Sequence, residues 1–433
     1  MNAPLLGLLG FGVALLLIAL GFPVAVAMAA VGVAGFWYLN GWSGAAFILG
    51  SSPFEAIFPY SLSVVPLFVM MGVFAARAGL SSSLFAMVNS FLGHMRGGLA
   101  VTAVGACAIF GAVCGSSLAT VATMGRVAIP EMRERGYHSS LSAASIAAGG
   151  TLGVLIPPSI LLVIYGLLTQ TSIGKLFIGA LIPGLLGALF YGLAIVVRVR
   201  LAPHLAPAAD RAGWATRLRM VRRVWGVFAL FLLVIGGIYI GWFSPTEAAA
   251  VGAAGAFALG LLSGQFTRAT LGDAVRETAG LTGMIFFILI GASLFNYFLE
   301  TTGLPTALID AIEASGLAPI HVLLLIMLFY VVLGCFMDAM SMILLTVPFL
   351  APVAVSLGFD MVWFGILVVT VAEIGLITPP IGMNLFIIQG AQPGLTQATV
   401  VRGIVPFILA DILRLAILVA VPGLVSWLPA QMF

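Results

Sequence analysis

The side chains that could do chemistry in this chain are few, and most stand where an apolar stretch is interrupted. Gly115-Ser116-Ser117 interrupts one stretch, and the run from Gly149 to Ser159, with Pro157-Pro158 inside it, interrupts the next. Asp338-Ala339-Met340-Ser341 and the run from Gly375 through Thr378, Pro379 and Pro380 to Gly382 do the same further along. A helix that stops inside lipid leaves N–H and C=O groups unpaired at several kcal/mol each, so such breaks survive only where they line a polar cavity or bind something. A half-helix N-terminus offers free N–H groups and a positive dipole end, which suits a carboxylate. Unwound carbonyls, joined by Ser and Thr hydroxyls, suit Na⁺. The available side-chain oxygens are those of Ser116, Ser117, Thr120, Thr123, Ser341, Thr346, Thr378 and Asn384. Any one hydroxyl in an apolar helix is explained by a bond to neighbouring backbone; the set at matched breaks points to a site.

The acidic and basic residues inside apolar runs carry weight because burial makes them costly. Asp338 stands at the apex of an apolar stretch, where it can ligate an ion or cap a helix. Glu373 lies two residues before Gly375 and can support that loop. Asp411 and Arg414, three apart on one helix, are expected to pair with each other. Glu247, two residues past Pro245, is expected to cap its helix. Cys107, Cys114 and Cys335 have no metal or redox spacing and read as small core residues. His94, His138 and His204 receive no role.

These residues need a membrane around them. Of 433 residues, 62% are hydrophobic and 7% charged, with mean hydropathy +1.23. Soluble domains carry about 25% charged residues, so lipid must be the solvent, and at about 20 apolar residues per crossing there is room for ten or more. Met1 runs almost directly into an apolar segment with no basic leader, so residues 4–20 are expected to be a retained first helix. The net charge of +3 says little, and the basic residues are too few for a nucleic-acid surface; no nucleic-acid partner is expected.

Markers recur at one offset. Pro23 and Pro245 stand 222 positions apart (245 − 23), and the same interval separates Pro130 from Pro352, Gly153 from Gly375, Pro157-Pro158 from Pro379-Pro380, and Ser116 from Asp338. A fixed period is the signature of an internal repeat. The chain divides into a first unit, residues 1–200, a basic linker, 201–223, and a second unit, 224–433. The first unit holds a hairpin over about 97–134 and a broken helix over about 139–168; the second holds a hairpin over about 319–356 and a broken helix over about 361–390. Pieces at 43–60, 80–95, 268–278, 302–316 and 394–403 are expected to lie along the interface. Arginines from 198 to 223 place the linker in the cytoplasm. If both hairpins are re-entrant, Arg96, Arg133, Arg135, Arg268, Arg276 and Arg402 fall on the same side, with Lys175 the exception. Each unit then has five crossings, an odd number, and the two are inverted copies. The expected fold is an all-α polytopic membrane protein of two inverted repeats, each with five transmembrane helices (one broken) and a re-entrant hairpin. Broken helices in inverted repeats are a pointer to a secondary-transporter site.

The strings CGSSLATVATMGRVAIPEM, GTLGVLIPPSILLVIYG and GLITPPIGMNLF resemble the DctM-type large membrane subunit of tripartite ATP-independent periplasmic (TRAP) transporters, and the resemblance covers essentially the whole chain. It implies Na⁺-driven uptake of a small carboxylate such as a C4-dicarboxylate, sialic acid or keto acid, an elevator mechanism in the bacterial inner membrane, and two protein partners: a small four-helix membrane subunit (DctQ type) and a periplasmic substrate-binding protein (DctP type). With no four-helix segment before Met1, the small subunit is expected to be a separate protein. Carried over, Gly115 and Ser116 with Gly153 and Pro157 would hold one Na⁺, and Asp338 and Ser341 with Gly375, Thr378 and Pro379 another; Ser116, Ser117, Ser159, Asp338 and Asn384 would meet the substrate. The competing reading is a stand-alone carboxylate symporter or antiporter of a related inverted-repeat family. An intramembrane enzyme is disfavoured because no HExxH or GxSxG motif and no paired catalytic aspartates appear in the helices, and a channel because no helix carries a charged ring or filter-like repeat.

Overall fold

The computed structural model describes residues 3–207, 211–392 and 394–432. Among these the chain is helical throughout, and residues 208–210 of the linker lie outside them. The helices are α1 (Ala3–Ala19), α2 (Val24–Ile57), α3 (Val64–Arg77), α4 (Leu80–Leu92), α5 (Gly98–Cys114), α6 (Ser117–Glu134), α7 (Ser139–Leu155), α8 (Ile160–Thr169), α9 (Ile173–Leu201), α10 (Trp214–Ile240), α11 (Pro245–Leu262), α12 (Arg268–Thr302), α13 (Leu304–Ser315), α14 (Pro319–Gly334), α15 (Ala339–Ser356), α16 (Met361–Ile377), α17 (Met383–Ala391), α18 (Gln397–Ala420) and α19 (Gly423–Met432). Eight described helices are long and apolar enough to cross a membrane, and a ninth span is reached if α7 and α8, bent by 42° at the break between them, count as one. Exposed Leu, Phe and Trp side chains cover the outside, as lipid requires.

Helix boundaries follow the 222-residue interval. α6 and α15 are both 18 residues long and begin at 117 and 339 (339 − 117); α7 and α16 are both 17 residues long and begin at 139 and 361 (361 − 139). The two hairpins, α5–α6 and α14–α15, and the two broken helices, α7–α8 and α16–α17, pack together in an exchanged way. The return arm α6 lies on α17 of the other half, and α15 lies on α8. Beside them α2 packs along α12 and α3 along α11.

Three expectations change. The expected interfacial piece 43–60 is largely the second part of one helix, α2 (Val24–Ile57), bent at Gly41, whose φ of 73° is left-handed; glycine alone adopts that without strain, so the chain turns there without ending. The expected interfacial pieces 268–278 and 394–403 likewise belong to longer helices: α12 is uninterrupted over 35 residues, and α18 runs from Gln397 to Ala420. The breaks are shorter than the glycines implied: α7 runs through Gly149 and Gly153 to Leu155, and α16 runs through Gly375 to Ile377. Those glycines serve helix contact instead. A Cβ on Gly153 would collide with the Gly111 Cα, and one on Gly375 would sit 2.6 Å from the Gly334 Cα. Each hairpin is thus seated backbone-to-backbone on its own broken helix, the close approach that small residues allow between membrane helices.

Gly153→Ala must push the α5 and α7 backbones apart, so it is expected to cost about 1–3 kcal/mol, read as a lowered midpoint of thermal unfolding in detergent. Gly12→Ala, with nothing within 4 Å of the added carbon, should leave the midpoint unchanged.

Candidate functional site

α5 ends where Gly115 takes a left-handed φ of 67°, and Ser116 starts α6 as its N-cap, its Oγ accepting the Ala119 N–H at 3.4 Å. Asp338 does the same for α15: its Oδ2 accepts the Ser341 N–H at 3.0 Å and its Oδ1 accepts the Ser341 hydroxyl. Capping residues of this type satisfy one of the orphan donors of a first turn. Ser116 and Asp338, already paired by the sequence interval, hold equivalent places, one neutral and one anionic.

Each tip lies beside the break of its own half. Gly115 faces Ile160 and the Pro158 carbonyl. The Cys335 thiol reaches the Pro379 carbonyl at 3.5 Å. Pro157, Pro158 and Pro380 carry no N–H, so the carbonyls of Gly153, Val154 and Leu376 lack the amide four residues on that a continuing helix would give them. The Gly375 carbonyl accepts the Thr378 N–H at 3.0 Å, and the Thr378 hydroxyl donates to the Ile374 carbonyl at 2.7 Å. Each tip-and-break pair therefore gathers oxygens, all neutral but for the Asp338 carboxylate, with N–H ends beside them. Among the described residues no cluster of three His, Cys, Asp or Glu exists, so a cation here would be held mainly by carbonyl and hydroxyl oxygen, a donor set that suits a hard ion such as Na⁺.

Both tips open on one cavity of about 150 Å³. Gly115, Ser116, Ser117 and Thr123 line it from the first hairpin; Asp338, Ala339 and Met340 from the second. α7 and α8 supply Val154, Ile160 and Leu161, and α16 supplies Glu373 and Leu376. The remaining wall comes from α3 and α12, including Glu277. Of the expected substrate contacts, Ser116, Ser117 and Asp338 are brought together. Ser159 and Asn384 stand off the wall. Ser159 caps α8 through the Leu162 N–H at 3.3 Å, and Asn384 donates to the Ala147 carbonyl at 3.1 Å, tying α17 to α7.

The Glu247 cap is present, as a reciprocal box with Ser244. Asp411 and Arg414 do pair, at 2.8 Å and fully buried. Sequence reading missed the rest of that cluster: the Tyr191 hydroxyl donates to Asp411 Oδ2 at 2.5 Å and meets Thr151 Oγ1 at 3.1 Å, joining α7, α9 and α18. It also missed two glutamates at the repeat interval. Glu277 takes Arg77 at 2.6 Å beside the central cavity, while Glu55 (277 − 222) accepts the Tyr297 hydroxyl at 3.0 Å. Tyr297, with Gln170, Asn296 and Glu300, lines a second cavity of about 420 Å³. The interval itself was the signal that could have found them.

The family model described as "Tripartite ATP-independent periplasmic transporter, DctM component" matches residues 11–424. The chain belongs to this TRAP family. It is 37% identical to the C4-dicarboxylate TRAP transporter large permease protein DctM of Pseudomonas aeruginosa, over 90% of this chain and 93% of that one. It is 38% identical to the ectoine/5-hydroxyectoine TRAP transporter large permease protein UehC of Ruegeria pomeroyi, over 91% and 92%. It is 32% identical to the sialic acid TRAP transporter large permease protein SiaM of Vibrio cholerae, over 86% of each. Among solved structures, the Alcanivorax borkumensis YdaH transporter superposes with a TM-score of 0.67 at 16% identity, covering 99% of both chains. The Neisseria gonorrhoeae MtrF structure superposes at 0.58 and 14% identity, over 88% and 85%. At those identities the likeness is one of fold. This TRAP permease is an all-α polytopic protein of the bacterial inner membrane.

Arg414→Met strands the Asp411 charge and is expected to cost about 3–5 kcal/mol, whereas Asp411→Leu with Arg414→Met should recover most of that loss. Thermal unfolding of the purified permease compares the two.

Proposed function

We propose that this TRAP large permease carries out Na⁺-coupled uptake of a small organic acid by an elevator movement. The observation that carries the reading is the convergence of both hairpin tips and both broken helices on one cavity. Broken helices at corresponding places in two halves of a transporter are the arrangement that binds substrate and coupling ion between them. The two starts of α6 and α15 turn N–H groups toward the cavity, where a carboxylate is favoured by dipole and donor alike. The carbonyls freed at the Pro-Pro breaks, with Gly115, Ser116, Gly153 and Pro157 on one side and Asp338, Ser341, Gly375, Thr378 and Pro379 on the other, would ligate one Na⁺ each. In this reading Ser116, Ser117 and Asp338 meet the substrate, while Ser159 and Asn384 hold α8 and α17 in place.

The moving body is the interlocked set of hairpins and broken helices. Its arms are exchanged between halves, so the two sites travel together. The long pair α2 and α12, with α3 and α11, forms the scaffold. The two halves are inverted copies, with the arginine-rich segment between α9 and α10 in the cytoplasm. Relatives named for C4-dicarboxylates, ectoines and sialic acid bracket the substrate class as small organic acids. A four-helix subunit and a periplasmic binding protein complete the system, and the binding protein supplies much of the choice of acid. This chain catalyses no covalent step.

The test is uptake into proteoliposomes holding the permease, its small subunit and its binding protein, with a panel of these acids and an imposed Na⁺ gradient. Uptake should require the gradient; full-rate uptake of an acid without Na⁺ and without membrane potential would overturn the coupling. Ser116→Ala and Asp338→Ala should each raise the Na⁺ concentration for half-maximal uptake several-fold, and unchanged Na⁺ dependence in both would remove them from the ion sites.

A further inference from the structure

The central cavity holds one carboxylate whose charge nothing in the protein answers. Glu373 is 1% exposed. Its Oε1 receives the Ser117 hydroxyl only at 3.5 Å, and its Oε2 has no partner at all. The other two acids on the wall each have a partner in the protein: both Asp338 oxygens accept from Ser341, and Glu277 takes Arg77. No Lys, Arg or His is among the described residues that line the cavity. The charged groups within electrostatic reach of Glu373 are Arg414, Asp411 and Asp338. Arg414 is already bound to Asp411, so together these groups carry no positive excess.

A structural role alone does not account for this arrangement. A tether from the first hairpin tip to α16 needs one oxygen and a hydroxyl, and Gln would serve it without a charge. A buried carboxylate left half unpaired is costly and marks a functional position inside a membrane protein. An incoming carboxylate meets a second difficulty. It must enter a space walled by acids, where the protein's own groups offer only the partial charges of two helix ends and the two tip-and-break cations face the tips rather than Glu373. One positive charge placed between the two carboxylates resolves both problems.

We propose that Glu373 holds a cation in the central cavity, lying between its own carboxylate and the carboxylate of the substrate and crossing the membrane with it. This rests on the uptake reading above and adds a third cation position to the two at the tip-and-break pairs. The interval of 222 places Thr151 opposite Glu373 (373 − 151), and Thr151 is engaged by Tyr191, so the position is single. The positive charge has two sources: Na⁺ from the medium when the acid carries none, or an ammonium or amidinium group of the substrate itself.

The experiment uses the complete reconstituted system and the acid identified by the uptake panel. Reversal potentials give the number of Na⁺ moved per substrate for the wild type and for Glu373→Gln. For an acid with no cationic group, Glu373→Gln should move one Na⁺ fewer. For a zwitterionic acid, the Na⁺ number should stay and KM should rise at least tenfold. Either result supports the proposal and names the source. The same Na⁺ number and the same KM in Glu373→Gln overturn it. Glu373→Asp guards against misfolding: it should keep the wild-type Na⁺ number but shift half-saturation for Na⁺ or for the zwitterion at least threefold, and no shift in either also overturns the proposal. A wild type indifferent to Na⁺ defeats the uptake reading, whereas a Na⁺-coupled wild type with an indifferent Glu373→Gln defeats only this inference.

Discussion

Everything in this protein answers to one constraint: a backbone group exposed to hydrocarbon has no water to pair with. Helices meet it for most of the chain. Where a helix stops, the same constraint dictates what surrounds the stop. Ser116 and Asp338 cap the return arms, Ser159 caps α8, and each tip leans on the carbonyls of its neighbouring break. The breaks can exist only because they are packed against one another, and packing them together leaves a largely apolar cavity with a few polar groups on its wall, Glu373 Oε2 among them without a partner. The requirement to hide the interruptions and the formation of that cavity are the same event.

The contact between hairpin and broken helix shows how that packing is achieved. Gly111 against Gly153 and Gly334 against Gly375 bring backbones together with no side chain between them. The glycines that in sequence looked like places where helices come apart are places where helices come closest. Glycine supports both meanings: it permits left-handed backbone, as at Gly41 and Gly115, and it permits contact. Only the facing segment of chain decides which, and composition carries no trace of that segment.

Much of the architecture was legible because lipid imposes strong rules on sequence. The apolar runs, the Pro-Pro breaks and the hairpin turns at Ser116 and Asp338 could be read from hydropathy and one repeat interval, whereas α7 and α16 end beyond the glycines at which the sequence suggested breaks. The joins in α2 and α12 could not, since a bend at Gly41 and an unbroken passage through Gly280 look alike in composition. The site was legible as a region and less so as atoms. Asn384 and Ser159 have the right chemistry and the right neighbourhood, yet their side chains turn to Ala147 and to the first turn of α8. Tyr191, which closes the Asp411–Arg414 pair, is 220 residues away from its partner in sequence, and no local pattern announces such a bond.

The unbroken α12 has a geometric consequence of its own. It touches the central cavity at Glu277 and the second cavity at Tyr297. Twenty residues separate them (297 − 277), which at 1.5 Å of rise per residue is about 30 Å, the thickness of the hydrocarbon layer. One continuous helix thus carries a polar mark at each end of a span as long as that layer is thick. Because α12 is uninterrupted, its hydrogen-bonded backbone fixes that separation.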